Sequence, residues 1–128
     1  MSTSSSSILV DSFAWLEILQ GSERGRAALN LIRQSEKVFI SVLNLYELRY
    51  RIEQLKDEQT ANEFLKTIQV HAKTINVDDE IALQGAQLKL KYGLGAIDSL
   101  LLATARVHNL KLLTGDKHFE TMPDAILI

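Results

Sequence analysis

The sequence predicts an α/β fold in which a short, parallel central sheet of four to five strands is flanked by helices. One observation is a set of short, continuously apolar runs, which are typical of strands buried on both faces. Another is that helix-length segments separate these runs, as parallel neighbours require. The predicted strands are residues 8–10, 38–40, 75–77, 110–113 and 125–128.

The segments between these runs carry apolar residues at helical spacing. The clearest stripe consists of Leu45, Leu48, Ile52 and Leu55. Ser41 is a candidate N-cap for that helix. Asp78 or Asp79 begins a later helix, and Gly93 stands where a glycine commonly ends one. Each helix is therefore expected to bury one face against the sheet.

Length and composition indicate one folded domain over residues 1–128, with residues 1–6 as a flexible, serine-rich N-terminal segment. Hydrophobic residues make up 46% and charged residues 23% of the chain, and the net charge is −2. Neither a signal peptide nor a membrane-spanning stretch is evident, so a cytoplasmic protein with no membrane association is expected. The chain has no cysteine, which leaves oxygen atoms and histidine as metal ligands.

Two aspartates directly follow predicted strands. Asp11 follows the first run, and Asp116 follows the fourth after Thr114 and Gly115. Parallel strands would bring both aspartates to the carboxyl edge of the sheet, where open α/β folds bind ligands. Each also has an ordinary structural interpretation, since Asp is a favoured N-cap and Gly-Asp is a common turn pair.

Two further acids lie on predicted helices. Asp98 shares a helical face with apolar Leu101 and Leu102, where an ionised carboxylate needs a cation, hydrogen bonds or a proton. A first-turn aspartate stabilised by the helix dipole is the alternative. Glu47 falls off the apolar stripe of its helix, beside Arg51, and an ordinary solvated face is the simpler interpretation of this residue taken alone. Together, converging carboxylates would repel one another unless a hard divalent cation neutralises them.

The motifs around these acids resemble those of the PIN domains, and in particular the VapC-like toxins of type II toxin–antitoxin systems. The resemblance spans nearly the whole chain. An apolar strand leads into Asp11-Ser12, a helix carries Glu47, and a glycine-containing lead precedes Asp98 and an alanine-containing helix. A final strand leads into Thr114-Gly115-Asp116 and an aromatic residue.

The resemblance implies a PIN-like three-layer sandwich and a metal-dependent endoribonuclease that hydrolyses RNA phosphodiester bonds. It implies that Asp11, Glu47, Asp98 and Asp116 are both the catalytic and the metal-binding acids, and that one or two Mg²⁺ or Mn²⁺ ions are the cofactor. Ser12 and Thr114 would be supporting hydroxyls that hold a carboxylate or a water. The implied partners are an RNA substrate, a cognate antitoxin and a second copy of the chain, contacting through the helices that follow Ser41 and Glu58.

Basic residues near the acids are candidates for phosphate contacts, although each also fits a solvated helix face. They are Arg49, Arg51 and Lys117. His118 follows Asp116 closely, but a surface histidine is the simpler interpretation. A catalytically silent PIN-like module that binds RNA or protein is the alternative function. A phosphoacceptor receiver domain is disfavoured because the sequence lacks paired acids after the first strand and a lysine after the last strand. A nucleotide-binding enzyme is also disfavoured, because the sequence contains no complete glycine-rich phosphate-binding loop.

Overall fold

A computed structural model of the protein describes residues 7–128, and the expected flexible segment 1–6 lies outside the described residues. The elements, in chain order, are β1 Ile8–Val10, α1 Ser12–Gln20, α2 Glu23–Gln34, β2 Val38–Ser41, α3 Val42–Leu55, α4 Glu58–His71, β3 Lys73–Ile75, α5 Asp79–Tyr92, α6 Ala96–Val107, β4 Lys111–Thr114 and β5 Ala125–Leu127. A single 3₁₀ turn, Lys117–Phe119, connects β4 to β5.

The five strands form one parallel sheet in the order β3-β2-β1-β4-β5, as the sequence predicts. β1 lies at the centre, where Leu9 pairs with Phe39 of β2 on one side and Leu112 of β4 on the other. All five strands run in the same direction, so their carboxyl ends meet along one edge. The ends of β1 and β4 are therefore neighbours there, although about a hundred residues separate them in the chain.

The sheet is covered on both faces, which gives three layers. Ile8 and Val10 point to one side and pack with apolar residues of α1 to α4. Leu9 and Leu112 point to the other side and pack with residues of α5 and α6. The alternation along β1 explains why its sequence is continuously apolar: both of its faces are buried. The predicted α/β three-layer sandwich is confirmed.

Two predictions are wrong: the bounds of the third strand and the burial of Leu55 in the apolar stripe of α3. β3 is Lys73–Ile75, not residues 75–77, because it is an edge strand that pairs only with β2. An edge strand tolerates an exposed lysine and a half-buried threonine, so its sequence lacks the apolar run of a central strand. Leu55, assigned to the buried stripe of α3, is 58% exposed because it is the last residue of that helix.

Several helix ends lie where the sequence predicts them. Asp78 is the N-cap of α5, and its carboxylate accepts a hydrogen bond from the Ile81 amide. Gly93 ends α5 in the left-handed region, with φ of 69°, which a residue with a side chain rarely adopts. Ser41 caps α3. Within residues 7–128, none of the helices combines the length and apolar character needed to cross a membrane.

Candidate metal centre

The four predicted acids line one open cavity of about 340 Å³ at the carboxyl edge of the sheet. The complete lining is Asp11, Ser12, Phe13, Glu47, Arg51, Asp98, Gly115, Asp116 and Lys117. Each acid comes from a different element: the end of β1, the middle of α3, the first turn of α6 and the loop after β4. The parallel topology brings these separate parts of the chain together, since β1 and β4 are adjacent and end at the same edge.

Asp11 is held rigidly at the floor of this cavity. Its side chain is only 7% exposed. One carboxylate oxygen accepts a hydrogen bond from the Ser12 amide at 2.7 Å, so the residue also caps α1. The other oxygen accepts one from the Thr114 hydroxyl at 2.8 Å. Burial raises the pKa of Asp11 to about 6 against the effect of these hydrogen bonds, and the charges of Glu47 and Asp116 raise it further.

Asn44 is a buried contributor to the site that the sequence interpretation missed. Its side-chain nitrogen donates to the Ser12 hydroxyl at 3.0 Å and lies 3.4 Å from an Asp11 carboxylate oxygen. Its side-chain oxygen accepts a hydrogen bond from the Ser41 amide, which closes a capping box at the start of α3. Asn44 precedes Glu47 by three positions on the same helical face, and that spacing is the sequence signal that could have identified it as a candidate.

Asp98 and Asp116 line the same cavity and are hydrogen-bonded to each other. Burial raises the pKa of Asp98 to about 7, with further contributions from its hydrogen bond to Asp116 and from the charges of Asp116, Asp11 and Glu47. Partial burial would also raise the pKa of Asp116. Hydrogen bonds from the His118 amide and the Asp98 side chain outweigh this effect and keep the pKa of Asp116 below its ordinary value. The hydrogen bond between them therefore favours a proton on Asp98 and the ionised form of Asp116.

The loop that carries Asp116 is fixed at both ends. The Asp116 amide donates to the Thr114 hydroxyl at 3.1 Å, and the Asp116 carboxylate accepts from the His118 amide at 2.9 Å. Phe119 follows as a fully buried anchor. Thr114 thus contacts both Asp11 and the backbone of Asp116, so a single buried hydroxyl links two of the acids.

The structure separates the three basic candidates. Arg51 and Lys117 line the cavity. Arg49 lies elsewhere on α3 and pairs with Glu53 and Glu58. A further cation lies near the cavity. The Arg24 guanidinium is 4.6 Å from the centre of the ring of Phe13, which lines the cavity. Arg24 also donates a hydrogen bond to the Ile128 carbonyl.

The donor set suits a hard divalent cation. The cavity presents carboxylate oxygens, which Mg²⁺ and Mn²⁺ prefer, and the chain has no thiolate to attract softer ions. Burial and the neighbouring carboxylates raise the pKa of both Asp11 and Asp98, and a bound cation would favour their ionised forms. Ligand atoms of Asp98, Asp116 and His118 all lie within 4.8 Å of one another, a spacing that one ion could bridge.

Comparison with known proteins shows which family has this fold. The family profile of the PIN domain matches residues 8–125. A toxin–antitoxin complex from Klebsiella pneumoniae is similar in structure, with a TM-score of 0.79 and 24% identity over 93% of this chain and 95% of that one. No curated protein sequence matches the chain significantly.

Two further solved structures share the fold at lower identity. DNA-bound VapBC from Salmonella typhimurium has a TM-score of 0.74 and 19% identity, over 95% of this chain and 96% of that one. VapC20 from Mycobacterium tuberculosis, described as a sarcin–ricin loop cleaving toxin, has a TM-score of 0.74 and 16% identity, over 91% and 95% of the two chains.

Proposed function

Because the chain belongs to the PIN-domain family, we propose that it is an endoribonuclease that uses Mg²⁺ or Mn²⁺ to hydrolyse RNA phosphodiester bonds. We further propose that it is the toxin of a toxin–antitoxin pair. The observation that carries the first proposal is the convergence of Asp11, Glu47, Asp98 and Asp116 on one cavity from four distant parts of the chain. A purely structural role would not need so many acids in one place, because each raises the cost of ionising the others.

The cation, when bound, would neutralise the acids and supply a Lewis acid that activates water for attack on phosphorus. The chain's own residues would hold it. Asp11 is immobilised by Thr114, Ser12 and Asn44, so its carboxylate is already oriented before a ligand arrives. Asp98 would give up its proton on binding, and Asp116 would then be free of its hydrogen bond to Asp98.

Arg51 and Lys117 would position the RNA by contacting phosphate oxygens. Both line the cavity and both are exposed, so their charges are accessible to a polyanion. Contacts of this kind fix the backbone and read no base directly. The cavity is open and small, which suits a single phosphodiester group rather than a buried nucleotide. These properties favour cleavage within a strand that lies across the edge of the sheet.

An antitoxin partner is supported by an apolar groove of about 480 Å³ between α1, α2 and α4. Its lining includes Trp15, Ile18, Leu29, Ile32, Phe64 and Ile68. The Trp15 indole N–H is buried and finds no acceptor among residues 7–128. A partner segment with apolar side chains and a free carbonyl would fill this groove. Several structurally similar proteins were solved as toxin–antitoxin complexes, which supports this partner.

We also propose a homodimer. The helices α3 and α4 expose Tyr46, Tyr50, Leu55 and Val70, with exposed fractions of 67%, 43%, 58% and 78%. The two tyrosine rings contact each other, with their centres 5.4 Å apart. The adjacent rings of Tyr46 and Tyr50 form a contiguous exposed patch, the kind of feature that marks interfaces between chains. This surface includes the helices for which the sequence resemblance implies a dimer contact.

The test of the nuclease is cleavage of an end-labelled RNA pool by the purified protein, with Mg²⁺, with Mn²⁺ and with a chelator. The comparison variant is Asp98→Asn, which preserves shape but removes one carboxylate. We expect metal-dependent cutting by the wild type and a loss of about a thousandfold in the variant, since an acid that holds the ion is lost.

Matched controls separate the possible outcomes. Asp79→Asn changes an exposed aspartate on α5, away from the cavity, and should cut RNA as the wild type does. Equal cutting by wild type and Asp98→Asn would contradict the proposal and indicate a contaminating nuclease. RNA binding by the wild type without cutting, in either metal, would favour a silent PIN-like binding module.

A further inference from the structure

His118 is a potential metal ligand that the four-acid assignment does not include. One of its ring nitrogens, Nδ1, lies 3.0 Å from an Asp116 carboxylate oxygen. A ring nitrogen of His118 and carboxylate oxygens of Asp98 and Asp116 all lie within 4.8 Å of one another. No aromatic or aliphatic packing explains this position, because 76% of the His118 side chain is exposed.

The backbone fixes the position of His118 relative to the acids. It occupies the middle of the 3₁₀ turn Lys117–Phe119, which Asp116 caps by accepting the His118 amide. The next residue, Phe119, is fully buried and anchors the turn to the core. The imidazole is therefore attached to a rigid segment beside the cavity, and only its side-chain torsions need to adjust to reach a cation.

Imidazole is a different ligand from carboxylate. A neutral imidazole that donates from Nδ1 to Asp116 keeps the lone pair of Nε2 for another partner. Mg²⁺ binds oxygen almost exclusively and retains its waters, whereas first-row transition ions accept imidazole nitrogen readily. A nitrogen ligand next to two carboxylates consequently increases the affinity for Mn²⁺ more than that for Mg²⁺.

We propose that His118 supplies a nitrogen ligand beside Asp98 and Asp116, so that the site prefers Mn²⁺ to Mg²⁺. The inference rests on the proposed function in one respect, namely that a divalent cation binds among these acids. It adds a ligand and a selectivity that the acids alone do not provide. His118 is then a metal-binding residue, and its contact with Asp116 keeps the ring close to the site before the ion enters.

The test is pulsed electron paramagnetic resonance of Mn²⁺ bound to the protein without RNA, which detects a directly coordinated ¹⁴N nucleus. The variants are His118→Gln and, as a matched control, His108→Gln, an exposed histidine at the end of α6. The chain has three histidines, so the signal can be assigned by substitution. We expect nitrogen coupling in the wild type and in His108→Gln, and none in His118→Gln.

Metal titrations give a second measurement. We expect His118→Gln to weaken Mn²⁺ binding by about 10-fold. Mg²⁺ binding, measured by competition, should change by less than about 2-fold. Circular dichroism checks that the variant folds, and His118→Ala serves as a second variant that lacks any donor.

The outcomes distinguish this proposal from the nuclease proposal. Bound Mn²⁺ without nitrogen coupling in the wild type, or an equal loss of both ions in His118→Gln, would overturn the role of His118. Neither result would contradict the proposed nuclease if the wild type cuts RNA in a metal-dependent manner. Nitrogen coupling lost only in His118→Gln supports the ligand even if the wild type cuts no RNA, in which case the nuclease proposal alone fails.

Discussion

The Thr114 hydroxyl donates a hydrogen bond of 2.8 Å to Asp11, a residue 103 positions earlier in the chain. The same oxygen accepts the amide of Asp116 at 3.1 Å. Thr114 is fully buried, so its hydroxyl is shielded from bulk water. Two acids of the candidate metal centre are thus oriented by one side chain at the end of β4.

Replacing that hydroxyl should weaken the site without removing any acid. We expect Thr114→Val to reduce metal affinity and RNA cleavage by about 10- to 100-fold, the usual effect of losing a group that orients a ligand. Stability should fall by about 1–3 kcal/mol, because the buried Asp11 oxygen and the partly buried Asp116 amide lose a partner. Isothermal titration with Mn²⁺ and urea unfolding measure the two effects.

Thr114→Ser is the matched control, because it keeps the hydroxyl and loses only a methyl group. Its metal affinity should stay close to that of the wild type. If Thr114→Ser is as impaired as Thr114→Val, packing of the methyl group explains the effect and the hydrogen bonds do not.

The acids should also make stability depend on pH in an unusual direction. Burial raises the pKa of Asp11 to about 6 and that of Asp98 to about 7, from 3.8 in the unfolded chain. Between about pH 4 and 7 the folded state therefore holds more protons than the unfolded state, and stability falls as pH rises. The lowered pKa of Asp116 acts in the opposite sense and offsets part of this loss.

We expect the chelated protein to melt at a higher temperature at pH 5 than at pH 8, and saturating Mg²⁺ to remove most of the difference. The shift at Asp11 corresponds to at most about 3 kcal/mol. Differential scanning calorimetry in chelator across this range is the measurement. A melting temperature that increases from pH 5 to pH 8 without metal would contradict the assignment of uncompensated acids.

Neutralising one acid should stabilise the metal-free protein while abolishing cleavage. Asp98→Asn removes the carboxylate that burial and neighbouring charges destabilise most. We expect it to raise the melting temperature in chelator at pH 8 by a few degrees, equivalent to about 1 kcal/mol. With Mg²⁺ present, the wild type should recover this difference and the variant should gain little.

The surface variant Asp79→Asn is again the appropriate comparison, since its side chain is exposed in the first turn of α5. It should leave the response to Mg²⁺ unchanged. A lower melting temperature for Asp98→Asn in chelator would mean that the carboxylate is satisfied in the metal-free protein.

Gly115 is required by the aromatic wall of the cavity. A Cβ built there would lie 2.2 Å from the Phe13 ring. We expect Gly115→Ala to displace that ring and to cost about 1–3 kcal/mol of stability, the usual range for overpacking. Urea unfolding measures the loss. In a double-mutant cycle with Phe13→Ala, the Gly115→Ala substitution should cost much less, and full additivity of the two effects would contradict the contact.

The sequence identified the parts of the site that depend on strand ends. Asp11 and Asp116 were predicted to be neighbours because a parallel sheet brings the ends of its strands to one edge, and the structure has them lining one cavity. Central strands are continuously apolar, so their ends are easy to locate. The predicted third strand lies two residues later in the chain than the observed β3, because an edge strand that contains Lys73 and Thr74 has no continuous apolar run.

Contributions that depend on side-chain direction could not be predicted in the same way. Asn44 and Glu47 share a helical face, yet the spacing does not reveal that Asn44 turns inward to Ser12 while Glu47 faces the cavity. Likewise, Arg49 and Arg51 are both near Glu47 in sequence, but only Arg51 lies at the cavity because two positions on a helix differ by roughly 200°. Short-range spacing fixes a face, and tertiary packing decides what that face contacts.

The central place of β1 in the sheet has a consequence for how the protein is made. β1 is synthesised before its neighbour β4, and about a hundred residues separate Asp11 from Thr114 and Asp116. During translation a nascent chain can therefore possess Asp11, Glu47 and even Asp98 without having an assembled metal centre. If the protein cuts RNA as proposed, the ribosome that produces it would be protected from the new enzyme until β4 and Asp116 have emerged and paired with β1.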